Sequence, residues 1–418
     1  MKIFESAFPD DFRKTEIKSV LDCVTTGKFC QLICIPGAGK ATILRLLAHN
    51  RSLLRFHLGE KEKNLRFVYL NLLELSELTD TQILRFLIVA MDQDPKSLDD
   101  QLILTKQLSE EVNKLSDLGQ TLIFLLDHFD EFQNQLPRFF FQTLKNLKNI
   151  AKYKFSVVFA TRRDLSGLVD EEILKEYWDF FIGNTIYLKI FEKSALNHLF
   201  AQIEAVFSKK LKEDEKSKIT KITGGHAKLT KIAADLILGQ NVDPTTNQLL
   251  KNHQIQAALY EIWLFLTGVE QQTLLTITQG KTPSQIDETL INLDLISYQN
   301  KITIPIFEEF IKTTKLNLQT KIVFDAQTNE IKKGESIISE LLSPQEYRLL
   351  KFLIENPKKV LDRDQIIKAV WPQTQSSEAI SDEAIDQMVF RLRKKIEDEP
   401  AKPVHIQTVK GRGLKFEP

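Results

Sequence analysis

A short loop near the amino terminus combines glycines with a lysine in the pattern of a phosphate-binding turn. Its residues are Pro36, Gly37, Ala38, Gly39, Lys40, Ala41 and Thr42. The loop follows an apolar run and precedes a helical pattern, so backbone N–H groups and a helix N-terminus converge there on an anion. Lys40 adds a positive charge at the same place. The pattern predicts a phosphate site, with an ordinary strand-to-helix turn as the simpler alternative.

Two positions depart from the strict phosphate-loop pattern. Cys34 stands where the first glycine is usual, and Ala41 replaces the hydroxyl residue that would ligate magnesium. We expect nucleotide binding to survive these changes and hydrolysis to be weak. Whether ATP is hydrolysed at all stays open from the sequence.

Acidic residues close one later apolar run, and an arginine follows the next. Asp127 could hold magnesium with the nucleotide, directly or through water. Asp130 or Glu131 could orient an attacking water, or could simply be acids at a helix start. Arg162 would lie where a γ-phosphate binds, as a nucleotide sensor. Asp130, Glu131 and Arg162 are therefore the candidate catalytic residues.

Five apolar, β-rich runs alternate with helical patterns in the first half of the chain. They span residues 29–35, 66–70, 121–126, 155–160 and 185–188. Strands separated by helices favour a parallel sheet that is covered on both faces. The phosphate loop, Asp127 and Arg162 each follow such a run, so we expect them near the same sheet edge.

Residues 1 to about 315 resemble the STAND branch of the AAA+ P-loop ATPases. The resemblance rests on residues 36–40, 126–131, 161–163 and the sequence Thr-Gly-Gly-His-Ala-Lys-Leu at 223–229. It implies a switch controlled by ATP or ADP, with Mg²⁺, whose two forms differ in self-assembly. At the position of Ala227 the family usually has a proline that touches the nucleotide base. His226 itself is predicted to cap or pack rather than to ligate.

The helical pattern at 381–396 is cationic and has two distinct faces. Ile385, Val389, Leu392 and Ile396 form one stripe at 100° per residue, which must face a core. The opposite face carries Glu383, Gln387, Phe390, Arg391 and Lys394. A hairpin follows, in which Gly411 and Gly413 supply the positive φ that a tight turn around Arg412 requires. Between 391 and 415 eight basic residues stand against three acidic ones, so this end is locally positive although the chain has no net charge.

Residues from about 320 to the end resemble the OmpR/PhoB-type winged-helix DNA-binding domain. The matching pieces are 342–350, 370–371, 390–396 and 408–416. The resemblance implies that the helix from Ser381 enters the major groove of double-stranded DNA and that Arg412 contacts the minor groove or a phosphate. The candidate DNA-binding residues are Gln387, Phe390, Arg391, Lys394, Lys410 and Arg412. Phe390 could pack under the wing or against a thymine methyl group, and the basic residues could serve only solubility.

A chain of 418 residues, 43% of them apolar, can fill more than one core. We predict a multidomain protein: an α/β P-loop NTPase core with a parallel sheet at 1–190, a helical lid at 191–245, a middle winged-helix domain at 246–315 and a C-terminal winged helix-turn-helix domain at 321–418. Three cysteines without disulfide or zinc spacing, and no apolar stretch of membrane-spanning length, favour a cytoplasmic location.

These patterns together predict a nucleotide-controlled transcription regulator that binds double-stranded DNA. Self-association and RNA polymerase are the further expected partners. An AAA+ replication initiator is one alternative, although the C-terminal motifs look like those of a response-regulator effector. A STAND-type defence ATPase with a DNA-binding domain is the other, although no sensor-repeat array or effector enzyme is visible in this sequence.

Overall fold

The computed structural model describes residues 4–75, 77–132, 136–165, 171–181, 183–190, 192–283, 288–314, 322–326, 328–333, 336–372, 381–397 and 403–417. The chain divides into two compact units, one formed by Met1–Phe265 with Ile277–Thr313 and the other by Leu266–Thr276 with Thr314–Pro418. The finer predicted division into core, lid and middle domain stays a prediction. Among the described residues, no helix has the length and apolar character needed to span a membrane.

A five-stranded parallel sheet forms the centre of the first unit. Its strands are β1 (Cys30–Ile33), β2 (Leu65–Asn71), β3 (Thr121–Asp127), β4 (Phe155–Thr161) and β5 (Thr185–Tyr187). They lie in the order β2-β3-β4-β1-β5, and every neighbouring pair is parallel. β3 and β4 are buried almost throughout, as strands covered on both faces must be. The sheet confirms the predicted α/β fold.

Helices connect these strands and pack on the sheet. They are α1 (Lys14–Val24), α2 (Lys40–His49), α3 (Arg51–Leu58), α4 (Asp80–Ala90), α5 (Gln101–Asp117), α6 (Phe129–Phe132), α7 (Arg138–Ala151), α8 (Glu171–Glu176) and α9 (Trp178–Phe181). The core between sheet and helices is rich in aromatic side chains, among them Phe124, Phe155 and Phe159.

The chain then continues as helices. They are α10 (Lys193–Phe207), α11 (Glu213–Thr223), α12 (Ala227–Gln240), α13 (Thr246–Leu250), α14 (His253–Phe265), α15 (Gly268–Thr278), α16 (Glu288–Asn292) and α17 (Pro305–Thr313). At the hairpin predicted around residues 299–300, a single antiparallel bridge joins Ile296 and Ile302.

The described residues between 314 and 418, which form most of the second unit, contain two small antiparallel sheets and three helices of eight or more residues. The first sheet consists of β6 (Ile322–Asp325), β7 (Glu330–Lys333) and β8 (Ser336–Ile337). The helices are α18 (Pro344–Glu355), α19 (Arg363–Val370) and α20 (Asp382–Ile396). The second sheet, ordered β10-β11-β9, consists of β9 (Val360–Leu361), β10 (Ile406–Val409) and β11 (Gly413–Phe416).

Local sequence signals set the ends of the helices in this unit. The predicted capping boxes of Ser343 with Glu346 and of Asp362 with Gln365 are both formed. The three helices and both sheets share one apolar core that includes Leu349, Leu392 and Phe416. This core holds α20 and the β10–β11 hairpin on the surface of the unit.

Candidate nucleotide pocket and nucleic-acid interface

The phosphate loop turns sharply from β1 into α2. Gly37 and Gly39 have φ values of 79° and 99°, and Gly39 is the N-cap of α2. Residues with a Cβ rarely adopt such angles, so glycine permits the turn that directs successive N–H groups at one anion. Ala41 and Thr42 lie in the first turn of the helix. The segment from Pro36 to Thr42 therefore has the backbone form of an anion cradle.

Lys40 and two candidate catalytic residues form one chain of ion pairs beside this loop. Nζ of Lys40 lies 3.4 Å from Oδ1 of Asp130 and 3.1 Å from the carbonyl oxygen of Ala160. Oδ2 of Asp130 lies 2.7 Å from Nε of Arg162. The Lys40 and Asp130 side chains are only 14% and 9% exposed, so water screens their contact little. The prediction for Glu131 concerns a side chain outside the described residues.

Asp127 ends β3 and is almost completely buried. Its Oδ2 accepts a hydrogen bond from the Tyr69 hydroxyl at 2.7 Å, and its Oδ1 accepts one from the backbone N–H of His128 at 3.0 Å. Burial, together with the hydrogen bond to Asp127, raises the pKa of Tyr69, so the hydroxyl remains a donor. Each carboxylate oxygen keeps a second lone pair that a cation or a water could use.

The protein donors available to a magnesium ion are few. Ala41 has no side-chain oxygen, so the candidate ligands are Thr42, which follows it in the loop, and Asp127 at the end of β3. Within the part of the chain that the structure describes, no group of three or more His, Cys, Asp or Glu side chains could hold a metal. Because Mg²⁺ readily keeps waters and phosphate oxygens, this donor set fits an ion that is bound together with a nucleotide.

Two hydrogen bonds join the start of α12 to the phosphate loop. The Nδ1 atom of the buried His226 accepts from the N–H of Leu229 at 3.3 Å, so Nε2 carries the proton and donates to the carbonyl oxygen of Pro36 at 2.8 Å. The N–H of Lys228 donates to the carbonyl oxygen of Gly37 at 3.2 Å. The prediction that His226 caps a helix is confirmed. Its second role, as a link to the loop, was not predicted.

Arg13 ties the amino-terminal segment to the same loop. It is buried, with a left-handed φ of 50° at the N-cap of α1. Its guanidinium donates to the carbonyl oxygens of Lys189 at 2.6 Å, Ile190 at 3.4 Å and Ala38 at 3.5 Å, and it pairs with Glu16 at 3.2 Å. No motif in the sequence indicated this residue, because its partners are distant along the chain.

The three side chains of the Thr-Arg-Arg motif at the end of β4 lie in three different environments. The buried hydroxyl of Thr161 has no hydrogen-bond partner among the described residues. Arg162 reaches Asp130, as given above. Arg163 instead lies over the ring of Phe265, 4.0 Å from its centroid, and donates to its carbonyl oxygen at 2.6 Å. Only Arg162 of the two arginines is thus placed beside Lys40.

A cavity of about 280 Å³ opens next to the phosphate loop. Ala38 and Gly39 line it on the loop side, Phe8 and Phe12 line it from the amino-terminal segment, and Ala227 lines it at the start of α12. An apolar wall beside an anion cradle suits a ligand with a flat apolar part and a charged part. A nucleotide has this form.

The exposed face of α20 is the one that the sequence predicted. Ile385, Val389, Leu392 and Ile396 are buried, whereas Glu383, Gln387, Phe390, Arg391 and Lys394 are exposed. Phe390 is 54% exposed, so it does not pack under the wing, and Nζ of Lys394 lies 4.5 Å from the centroid of its ring.

Three of the four basic side chains of α20 contact oxygen atoms of their own unit. Nζ of Lys395 lies 2.6 Å, and Nε of Arg391 3.7 Å, from the carboxylate of the buried Glu346. Burial alone would raise the pKa of Glu346, but hydrogen bonds from Lys395 and Ser343 hold it below its ordinary value. Arg393 donates to the carbonyl oxygen of Ile406 at 2.9 and 2.7 Å.

The hairpin after α20 carries two cations at its tip. The N–H of Arg412 donates to the carbonyl oxygen of Val409 at 2.9 Å, and Lys410 and Arg412 are exposed. β11 pairs with β9 as well as with β10, which fixes the hairpin to the core of the unit. This is the geometry of a wing.

The two units therefore define two classes of domain in one chain. The parallel sheet, the loop from β1 into α2 and the acidic end of β3 form a P-loop ATPase fold. The helices α18 to α20 with the wing form an OmpR/PhoB-type winged-helix domain. Residues 339–416 match the family described as "Transcriptional regulatory protein, C terminal".

Curated relatives match part of the chain. The "Sensory transduction protein RegX3" of Mycolicibacterium smegmatis is 43% identical over 85 residues, which are 20% of this chain and 34% of that protein. The chain thus spans about a third of this relative's length.

Solved structures align with parts of the chain. The Walker-type ATPase paby2304 of Pyrococcus abyssi aligns over 72% of this chain and 95% of its own, with 15% identity and a TM-score of 0.46. The RstA DNA-binding domain of Klebsiella pneumoniae, in complex with the RstA box, aligns over 23% of this chain and 90% of its own, with 25% identity and a TM-score of 0.20.

Proposed function

We propose that this protein is a nucleotide-controlled, DNA-binding transcription regulator. ATP or ADP with Mg²⁺ binds in the first unit, and the nucleotide state controls self-assembly and the binding of promoter DNA by the winged helix. The observation that carries the proposal is the shared ion-pair chain of Lys40, Asp130 and Arg162 beside a phosphate loop, in a chain whose residues 339–416 match a transcriptional regulatory family.

The charged residues of the pocket have separate roles in this proposal. Lys40 and the loop N–H groups hold the β- and γ-phosphates, Asp127 holds Mg²⁺ together with the nucleotide, and Arg162 contacts the γ-phosphate. Asp130 orients the attacking water, and the missing hydroxyl at Ala41 keeps any hydrolysis slow. Because ATP and ADP differ only in the γ-phosphate, the partners of Lys40 and Arg162 differ between the two nucleotide states.

A change at the loop has a direct route to the helices that follow. His226 and Lys228 bind the carbonyl oxygens of Pro36 and Gly37, so a movement of the loop carries the start of α12 with it. This coupling supports a switch of the STAND type. We also propose a cytoplasmic location, a homo-oligomer in one of the nucleotide states, and RNA polymerase as the partner at the promoter.

The proposal is tested with the full chain and with duplexes that it selects from random DNA. DNA affinity and protein mass, measured with ATP–Mg²⁺, with ADP–Mg²⁺ and without nucleotide, should differ between the nucleotide states. Lys40→Ala should lower ATP affinity at least about 100-fold in calorimetry, because a charge-assisted phosphate contact is lost. The exposed Lys61→Ala is the matched control.

Two results would contradict different parts of the proposal. Unchanged ATP affinity in Lys40→Ala removes the nucleotide site. Equal DNA affinity and equal mass in all nucleotide states remove the coupling and leave two independent modules.

A further inference from the structure

We propose that α20 reads A·T base pairs, with Gln387 on an adenine and Phe390 on the C5 methyl group of a thymine. The inference rests on the proposed function, since it requires α20 to lie in the major groove of DNA. It concerns sequence selectivity, which the proposed function leaves open.

The arginines of α20 are poorly placed to read guanine. A guanine is usually recognised by an arginine or lysine that donates to its O6 and N7 atoms. Arg393 is held by the carbonyl oxygen of Ile406, and Lys395 pairs with the buried carboxylate of Glu346 at 2.6 Å. Nε of Arg391 lies 3.7 Å from the same carboxylate, with its side chain 56% exposed. A guanine contact by any of them would compete with these partners. The same side chains can still contribute charge toward the phosphates.

Gln387 lies on the exposed face of α20, one turn before Phe390. No hydrogen bond joins its side chain to the residues that the structure describes, so its amide is available to a ligand. A glutamine amide can donate to N7 and accept from N6 of adenine, a pair that no other base offers in the major groove.

Phe390 is an apolar side chain in the middle of a polar and cationic face. Its ring is 54% exposed, and Lys394 covers it from one side with Nζ 4.5 Å from the centroid. The thymine methyl is the apolar group that the major groove presents, so a ring exposed on a groove-facing helix gains by burial against it. The adjacent cations match the charge of DNA and favour this occupant over an apolar surface of a protein.

The test uses the full chain and a tight duplex that it selects from random DNA. Each thymine of that duplex is replaced in turn by uracil, which removes only the C5 methyl group. We expect the selected duplex to contain a thymine whose replacement weakens binding about fourfold. Phe390→Ala should make this position insensitive to uracil, whereas Phe390→Leu, which keeps an apolar side chain, should retain part of the effect.

A second substitution separates the two side chains. Replacing adenines by 7-deazaadenine removes the N7 acceptor and should weaken binding about fivefold or more at one position. Gln387→Ala should abolish this effect and keep the sensitivity to uracil. Both side chains are exposed, so these variants leave the core intact.

The outcomes distinguish this inference from the proposed function. Failure of the full chain to select any duplex contradicts DNA binding itself. Tight DNA binding with no uracil-sensitive thymine overturns the contact between Phe390 and a thymine methyl group but leaves DNA binding in place. Full uracil sensitivity in Phe390→Ala has the same meaning. A Phe390→Ala variant that binds DNA normally but loses a protein partner would assign the ring to that partner and would also overturn the proposed thymine contact.

Discussion

The candidate nucleotide pocket and the tip of the wing hold their charges in opposite ways. In the pocket, Lys40, Asp130 and Arg162 are paired with one another, and Asp127 is bonded to Tyr69. On the winged-helix surface, Arg412 stands exposed at the tip of the wing. A shielded charge without a partner is costly, whereas an exposed one is stabilised by water.

This difference implies two kinds of binding. A phosphate in the pocket must replace Asp130 as a partner of Lys40, so affinity there depends on an exchange of ion pairs. A phosphate at the wing meets Arg412 directly and releases counterions, so affinity there depends on salt. The exchange of ion pairs in the pocket is therefore suited to a switch, and the wing is suited to phosphate binding whose strength varies with salt concentration.

The largest expected effect concerns the scaffold of the wing. A Cβ at Gly413, where φ is 129°, would lie 2.0 Å from the carbonyl oxygen of Leu361, so Gly413→Ala should separate β11 from β9 and destabilise the unit by roughly 4 kcal/mol. Gly411→Ala, where φ is 72° and nothing lies within 4 Å, should cost only about 1 kcal/mol. Urea unfolding followed by peptide-resolved hydrogen exchange measures both. Equal costs would mean that the wing does not need this strand pairing.

The second largest effect should be a loss of folding stability around His226 at acidic pH. Burial lowers the pKa of His226 to about 4. The hydrogen bond to Pro36 and the negative charge of Glu261 oppose this shift, whereas the positive charges of Lys228 and Arg13 add to it. Since an unfolded histidine titrates near pH 6.5, the stability that neutral His226 provides is complete above pH 6.5 and is lost as the pH falls toward 4. The loss is about 3 kcal/mol for a shift of this size.

The measurement for this prediction is urea unfolding at pH 7 and pH 4.5, resolved for peptides of α12 and of α18. Peptides of α12 should lose more stability in acid than those of α18. His226→Asn keeps a capping side chain without the titration and should remove most of this excess. The same acid response in the variant would contradict the assignment to His226.

The smallest effect should appear at the wing. Arg412→Ala should weaken binding to all duplexes by about 1 kcal/mol and reduce the salt slope of binding by roughly one ion, because one phosphate contact is lost. ATP affinity should stay unchanged. Salt titrations of DNA affinity and calorimetry with ATP provide the two measurements. A loss confined to one DNA sequence would instead indicate that Arg412 reads a base.

Much of this fold was predictable because its signals are local. β3 and β4 are covered on both faces, so they appear in the sequence as unbroken apolar runs. The capping box at Ser343 fixed the start of α18, and the helical period assigned the two faces of α20. These features depend on neighbours within one or two turns, which a sequence displays directly.

The details of the pocket were less predictable because they are set by distant contacts. His226 and Pro36 are 190 positions apart, and Tyr69 and Asp127 are 58 apart. The sheet β6-β7-β8 was missed for another reason, since its strands are only two to four residues long and β7 is mostly polar. Short polar strands lack the alternation that identifies longer ones.

The position of Arg13 has a practical consequence for work with this protein. Its guanidinium reaches the carbonyl oxygen of Ala38, and Phe8, Phe12 and Arg13 line the cavity beside the phosphate loop, so this segment forms part of the cavity wall. A truncated chain that starts after residue 13, or a bulky fusion placed against this segment, would alter this cavity. Affinity tags are better attached away from this segment.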